Sequence, residues 1–407
     1  MNAITNSPRQ SVHFQGNGKS KFSYWPLYVL IALKPIADAF YEANIVKYAY
    51  MFLLIFAAFF AHVGRVVANP GGANERDPEL QQIFWLTIIY SLYIFLLLMM
   101  HGAAFQDLFK LVSPFIFFLL VASVSDRGLP CAIAASGLIG ILANAMMFPL
   151  DYGWTYWGNI RTFKGFYYFK TDLAYAICFS LLFFVVWVRY KLNNALILLL
   201  LICLPMIFYA NSRMNYLVFA TLVLFILHKN GKGVLSYAKY GLVLLPVIVA
   251  ILYVYDSNKL LGFDTANEGA FTQGRNVIWD VLITRGIAAY SLPEWLFGRG
   301  LWADMEIYAK HVSTGEIHNA HNEWLHLVVT QGLIGCLLYI GIWARLFINC
   351  TRSIPPWARG TGVLALLLIG MQSMTGLISP FATKTWPFVM VLLMLRSMRQ
   401  DNSEEAN

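Results

Sequence analysis

Three of the chain's eight histidines stand within nine residues, HNAHNEWLH, from His318 to His326. A neutral imidazole, with an ordinary pKa of about 6.5, can take the proton of a hydroxyl as that hydroxyl attacks an electrophile. Two other readings stand beside this one. As metal ligands His318 and His321 lack company: the stretch is not H-E-x-x-H, and no nearby Cys or carboxylate at ligand spacing completes a tetrahedral set, so no metal is assigned. As interfacial side chains, histidines at the end of a span need no chemistry at all. The arginines bear on the choice. Arg213 stands in NSRMNY at the start of an apolar segment, with Asn211 or Ser212 placed to cap a helix. Arg275 stands in QGRNVIW and Arg299 in LFGRGLW. A guanidinium stays charged, forks onto phosphate oxygens, and is costly near lipid unless partnered. Several of them around a base suit a diphosphate leaving group. Snorkelling to the interface for Arg213 and a local salt bridge for Arg299 account for the same residues without a substrate.

The elements that must hold these groups are membrane helices. The 407 residues are 59% hydrophobic and 12% charged, with a mean hydropathy of +0.60, whereas soluble domains carry about 25% charged residues. A span needs about 20 mostly apolar residues, and by that criterion the chain has about twelve. Their centres lie near Ile31, Ile55, Ile89, Phe117, Gly140, Leu181, Leu200, Leu222, Val247, Leu338, Leu366 and Met390. The expected fold is an all-α integral membrane protein with a helical cap on one face. Residues 1–22 form one cytoplasmic tail, 23–256 the first nine spans, 257–320 an external loop, 321–397 the last three spans and 398–407 a second tail. Lys and Arg concentrate in the tails and the loops of one side, which places both termini in the cytoplasm. The polar start precedes a full-length span with no cleavage motif, so no removable signal peptide is expected.

Net charge is +8, but the excess lies in loops of the cytoplasmic side and needs no nucleic-acid partner. Five cysteines lie in or beside spans without C-x-x-C spacing and are expected as free thiols. Two external loops are longer than a turn requires. The first, Asp151 to Lys170, is dense in Trp and Tyr with Arg161 and Lys164 among them. It is either an interfacial aromatic belt or a platform for sugar and phosphate. The second, 257–320, alternates apolar and polar residues at helical spacing and reads as amphipathic helices. A helix starting near Ala320 would put His321, Leu325, Val328, Gly332, Gly335 and Tyr339 on one face, His321 at its top and the glycines facing a neighbouring helix. Lys34 and Asp38, one turn apart around Pro35, read as a structural ion pair.

These motifs resemble the bacterial O-antigen ligase and O-antigen polymerase superfamily of integral membrane glycosyltransferases. The ligase signature is His, then Asn, Ser or Gln, nine residues, then G-x-x-G; here it is His321-Asn322, nine residues, then Gly332-Leu-Ile-Gly335. The helix-opening Ser-Arg of Arg213, the Gly-Arg followed by Trp at Arg275 and Trp279, and LFGRGL upstream are similar too. Two threonines found after G-x-x-G in some ligases are Cys336 and Leu337 here. The resemblance implies metal-independent, inverting transfer of a glycan from undecaprenyl diphosphate to an acceptor hydroxyl, with no cofactor. The acceptor is lipid A-core for a ligase, or another lipid-linked glycan for a polymerase of O-antigen or exopolysaccharide repeats. It implies a multi-pass protein of the bacterial inner membrane with a periplasmic site. His321 would be the base, Arg213, Arg275 and Arg299 would hold the diphosphate, and His318, Asn322, Arg161 and Lys164 would be secondary. From another class, a transporter or flippase for lipid-linked sugars would show inverted repeats and polar residues near the bilayer midplane.

Overall fold

The structure, a computed structural model, describes residues 24–40, 44–68, 77–102, 105–124, 128–157, 160–167, 169–230, 275–312, 318–352, 354–358, 360–374, 376–379 and 382–404. It is nearly all helical, as segments next to lipid must be, because a helix satisfies its own N–H and C=O groups. In chain order come α1 (Trp25–Asp38), α2 (Asn44–Ala68), α3 (Pro78–His101), α4 (Phe105–Ala122) and α5 (Gly128–Met147). After a hairpin, β1 (Trp154–Trp157) and β2 (Ile160–Phe163), follow α6 (Lys170–Trp187), α7 (Asn194–Ala210) and α8 (Arg213–Asn230). Three short helices, α9 (Arg275–Val281), α10 (Leu292–Phe297) and α11 (Ala303–His311), precede α12 (Glu323–Thr351), α13 (Thr361–Ser373) and α14 (Ala382–Glu404).

Every expected span centre but one falls in a helix; the exception, Val247, lies outside the described residues. Length departs from expectation. Six helices among the described residues, α2 to α6 and α12, are long and apolar enough to cross a membrane, where about twelve spans were expected. Asn211 in the left-handed conformation closes α7 after 17 residues, so it does not cap α8. Helix α14 runs on into the polar DNSE, which dilutes its apolar character. The aromatic loop also departs from an all-α fold: β1 and β2 pair antiparallel, with Thr155 opposite Thr162.

Helix α6 is apolar on every side and buried along nearly its whole length, enclosed by α5, α7, α8 and α14. Lipid gives no hydrophobic drive between helices, so close approach relies on small residues. A methyl placed on Gly137 of α5 would lie 2.5 Å from the Ser180 carbonyl oxygen of α6. At the far end, Arg396 of α14 pairs with Asp77 at 2.9 Å, while Asn349 and Arg352 of α12 bind Glu79 at 2.8 and 2.6 Å. That knot fixes α3, α12 and α14 together.

The cap helices dock on the opposite end. There α12 is interrupted at Gly332, whose φ of 63° and ψ of −172° are not helical. The break frees carbonyls that the helix would otherwise use, and each finds a donor. Val329 O receives the Arg299 amide at 3.1 Å and the Tyr290 hydroxyl at 3.0 Å, Thr330 O receives the Gly300 amide at 3.0 Å, and Gln331 O receives the Tyr93 hydroxyl. The two glycines of the signature therefore differ in role. Gly335 does face a neighbour, since a methyl there would lie 2.7 Å from Tyr93 of α3. Gly332 instead lets the Leu296–Gly298 backbone interlock with α12, its missing methyl lying 2.5 Å from both Leu296 O and Gly298 N.

Gly332→Ala should lower the melting temperature of the detergent-solubilised protein, since its backbone lies in a region that essentially only glycine occupies, which costs an L-residue about 1–3 kcal/mol, and the clash adds to it. Gly341→Ala, with open space around the new methyl, should change stability by less than about 1 kcal/mol.

Candidate functional site

The histidine stretch does not start a helix at Ala320. Its α12 begins at Glu323, because Asn322 is the cap: the Asn322 side-chain oxygen accepts the Leu325 amide at 3.1 Å. His321 therefore stands in a left-handed turn, φ 47°, ahead of the helix and off its face. Four contacts make that turn. Asn319 Oδ1 accepts the His321 amide at 3.0 Å, Asp304 Oδ2 accepts the Ala320 amide at 2.9 Å, the Trp279 indole donates to Ala320 O at 2.7 Å, and His326 Nδ1 meets the same Asp304 oxygen at 2.9 Å. Thus α9, α11 and α12 all converge on the peptide before His321. Burial alone would raise the Asp304 carboxyl, but the His326 charge and hydrogen bonds from His326, Ala320 and Met305 outweigh it and hold it below the usual carboxylate range.

Around His321 the cations gather. Burial pushes its pKa down to about 4, helped by the charges of Arg275, His318 and Lys384 and opposed weakly by Asp304. The ring is neutral at neutral pH. His318 lies with its ring 6.4 Å from that of His321 and edge-on to Tyr308 at 5.4 Å. Below the turn, Glu323 is buried, accepting the Ile378 and Ser379 amides at 2.7 and 3.0 Å. Asn322 also donates to Met374 O at 3.4 Å. The connection from α13 to α14 is thereby laid against the histidine turn.

Of the residues singled out in sequence, His318, His321, Asn322 and Arg275 come together. Arg275 opens α9 beside His321. The backbone of Arg213 opens α8, next to Ser212 and Asn215, while its side chain lies outside the described residues. For Arg299 the structure gives the salt bridge: Nε pairs with Glu294 at 2.8 Å and the guanidinium lies over the Tyr290 ring, 4.5 Å from its centre. Arg161 lies over Trp154 at 4.6 Å and pairs with Asp151; it belongs to the hairpin, whose β2 packs on α7, and Lys164 directly follows that strand. Lys34 does pair with Asp38, at 2.7 Å.

Sequence reasoning missed Lys384, Asp172, Asp304 and the structural part played by Trp279 and His326. Lys384 and Asp172 are both buried and face each other at 3.3 Å. Charged residues in the first turn of apolar helices are costly enough to be a signal in themselves. His326 also lines a small cleft with Asp107, Lys110, Leu301 and Trp302, with room for one water (≈ 10 Å³), too small for a sugar.

Comparison with known proteins adds one match: residues 197–340 fit the model of a family described as O-antigen ligase. That span holds Arg213, Arg275, Arg299, His318, His321 and both glycines of the signature. A search of curated proteins finds no match. The electrostatics of the turn are testable directly. Histidine-selective NMR of the protein in micelles should show His321 titrating near about 4, and Arg275→Ala should move it up toward the ordinary value of about 6.5.

Proposed function

From the match of residues 197–340 to a family described as O-antigen ligase, we propose that the chain is a metal-independent, inverting glycosyltransferase of the bacterial inner membrane. It moves a glycan from undecaprenyl diphosphate to a sugar hydroxyl on the periplasmic face. The observation that carries this reading is the setting of His321: a neutral imidazole on a pinned turn with the Arg275 charge beside it. His321 takes the proton of the acceptor hydroxyl. The oxygen forms its bond to the anomeric carbon from the side opposite the diphosphate, and the carbon–oxygen bond to the diphosphate breaks. Undecaprenyl diphosphate leaves with the electron pair, the proton stays on the imidazole, and the configuration inverts.

Arg275 and Arg213 balance the charge that develops on the departing diphosphate. Such a leaving group is good enough that the second carboxylate of glycoside hydrolysis has no task here. Arg299, held by Glu294 and Tyr290, serves the diphosphate through the turn that it braces. His318 and Asn322 flank the base, and Arg161 and Lys164 offer secondary contacts to the glycan from the hairpin. A base near about 4 is weak at neutral pH. The donor acts against this, because two phosphate charges laid on Arg275 offset the part of the shift that its charge adds to that of burial. Donor binding thus raises the base toward the ordinary histidine range.

Purified protein in detergent with EDTA, given a defined undecaprenyl-diphosphate-linked repeat with and without lipid A-core, tests the proposal. One glycan placed on lipid A-core marks a ligase, and a ladder of longer lipid-linked chains without that acceptor marks a polymerase. His321→Ala should slow transfer by roughly 10²–10⁴-fold in a folded protein. Arg275→Ala should weaken donor use, and His318→Ala should act more mildly. The proposal fails if His321→Ala retains full turnover, and bound donor without any transfer points to a flippase. Through donor activation, the acid limb of kcat/KM should fall near about 4, with that of kcat at higher pH because the donor is already bound. Equal limbs would exclude that activation.

A further inference from the structure

We propose that Asp172, Asn215, Gln372 and Lys384 form a subsite beside His321 that binds the hydroxyl groups of one sugar ring, that of the acceptor. The assignment to the acceptor rests on the transfer chemistry proposed above; the binding of a saccharide does not.

Placement comes first. A methyl on Gly376 would lie 3.4 Å from Lys384 Nζ and 3.5 Å from Gln372 Nε2, so both side chains converge on that bare backbone. Lys384 Nζ stands 3.3 Å from Asp172 Oδ1. Asn215 joins through its neighbour, donating to Thr171 O at 3.3 Å and to Ser212 Oγ at 2.8 Å. The strip that carries Gly376 is the one tied to the histidine turn, by Asn322 to Met374 O and by Glu323 to the Ile378 and Ser379 amides. Four helices, α6, α8, α13 and α14, therefore bring these side chains to the strip that is tied to the histidine turn.

The chemistry of the cluster selects the ligand. Asp172, Asn215, Gln372 and Lys384 are all more than nine-tenths buried. Among the described residues, Asn215 Oδ1 and Gln372 Oε1 have no hydrogen-bond donor, while Asp172 Oδ1 faces the Lys384 ammonium at 3.3 Å. Carboxylate and amide oxygens only accept. A ligand that suits them brings O–H donors in several directions, which is what a sugar ring offers. Diphosphate is the opposite case, since it carries only acceptors and negative charge. Lys384 is paired with Asp172, which weakens the attraction this patch offers an anion. A ring held here by some hydroxyls presents another to His321, so the subsite selects which hydroxyl attacks.

Calorimetry on the full chain in lauryldimethylamine oxide, whose headgroup contains no sugar, tests the inference. The probes are the methyl glycosides of glucose, galactose and N-acetylglucosamine, and inorganic pyrophosphate. Wild type should bind at least one glycoside. Gly376→Ala adds one methyl at ordinary contact distance from its neighbours, and Gln372→Met keeps shape while removing the amide. Each should weaken the glycoside by about tenfold or more and change pyrophosphate affinity by less than about twofold. Asp172→Asn should act in the same direction, and should it fail to fold, the other two carry the test. The inference is overturned if no glycoside binds wild type, if glycoside affinity survives the substitutions, or if pyrophosphate affinity falls instead. Absent transfer together with glycoside binding lost in the variants leaves the subsite standing and removes the transferase reading. Transfer with glycoside affinity indifferent to the variants does the reverse.

Discussion

A single carboxylate oxygen, Asp304 Oδ2, holds the arrangement: it accepts the Ala320 amide and meets His326 Nδ1, each at 2.9 Å. It stands fully buried, where a charge without partners would be expensive. Each partner solves part of that problem, and each belongs to a different structural unit. His326 is in the first turn of the long helix α12, Asp304 is in α11, and Ala320 is the residue before the candidate base. Removing the carboxylate would therefore loosen three units at once. With the Trp279 indole on the other side of the same peptide, the backbone before His321 is fixed in position and direction, and a left-handed turn follows without a glycine. Such a conformation persists in a non-glycine residue only where its surroundings over-determine it.

The same logic governs the broken helix. Interrupting α12 near lipid depth leaves carbonyls without donors, which hydrocarbon does not tolerate. Here the cap provides two backbone amides from the Arg299–Gly300 turn and the Tyr290 hydroxyl, and α3 adds the Tyr93 hydroxyl. Cap and bundle are thus joined by hydrogen bonds that neither could satisfy alone. Arg299 contributes through its backbone amide as well as its charge, and its ion pair with Glu294 steadies the turn that makes the seal.

Much of this was legible in the sequence, and the boundary follows from range. Apolar runs marked helices because length and hydropathy are local, and nearly every expected centre lies in one. The pairing of Lys34 with Asp38 was legible because it spans one helical turn. Spacing between His321 and Gly332 was legible too, but its meaning was not. Reading one helical face through both residues assumed a continuous helix, whereas Asn322 caps it after His321 and Gly332 breaks it. The cap is local, from Asn322 to the Leu325 amide, but the break at Gly332 depends on the Leu296–Gly298 backbone at the end of α10. For the same reason the pairing of Lys384 gives no signal in the sequence: its closeness to Asp172 joins residues more than two hundred positions apart. The hairpin was hidden by its aromatics, which suit an interface and a strand equally well.

The division of charge around His321 has a chemical consequence. Burial, and after it the charges of Arg275, His318 and Lys384, keep the imidazole unprotonated. In the proposed reaction that makes the histidine a poor base before the diphosphate arrives at Arg275, so a sugar hydroxyl or a water arriving first meets little catalysis. Once the diphosphate offsets the Arg275 charge, the same imidazole becomes more basic. Water would then compete for the activated donor, and it is smaller and more abundant than any sugar. What discriminates against it must be occupancy: a ring held on the neutral side by several hydroxyls excludes water from the line between His321 and the anomeric carbon. An enzyme built this way needs its cationic half to switch the base on and its neutral half to decide what the base acts upon. Cations alone would yield a hydrolase of its own donor.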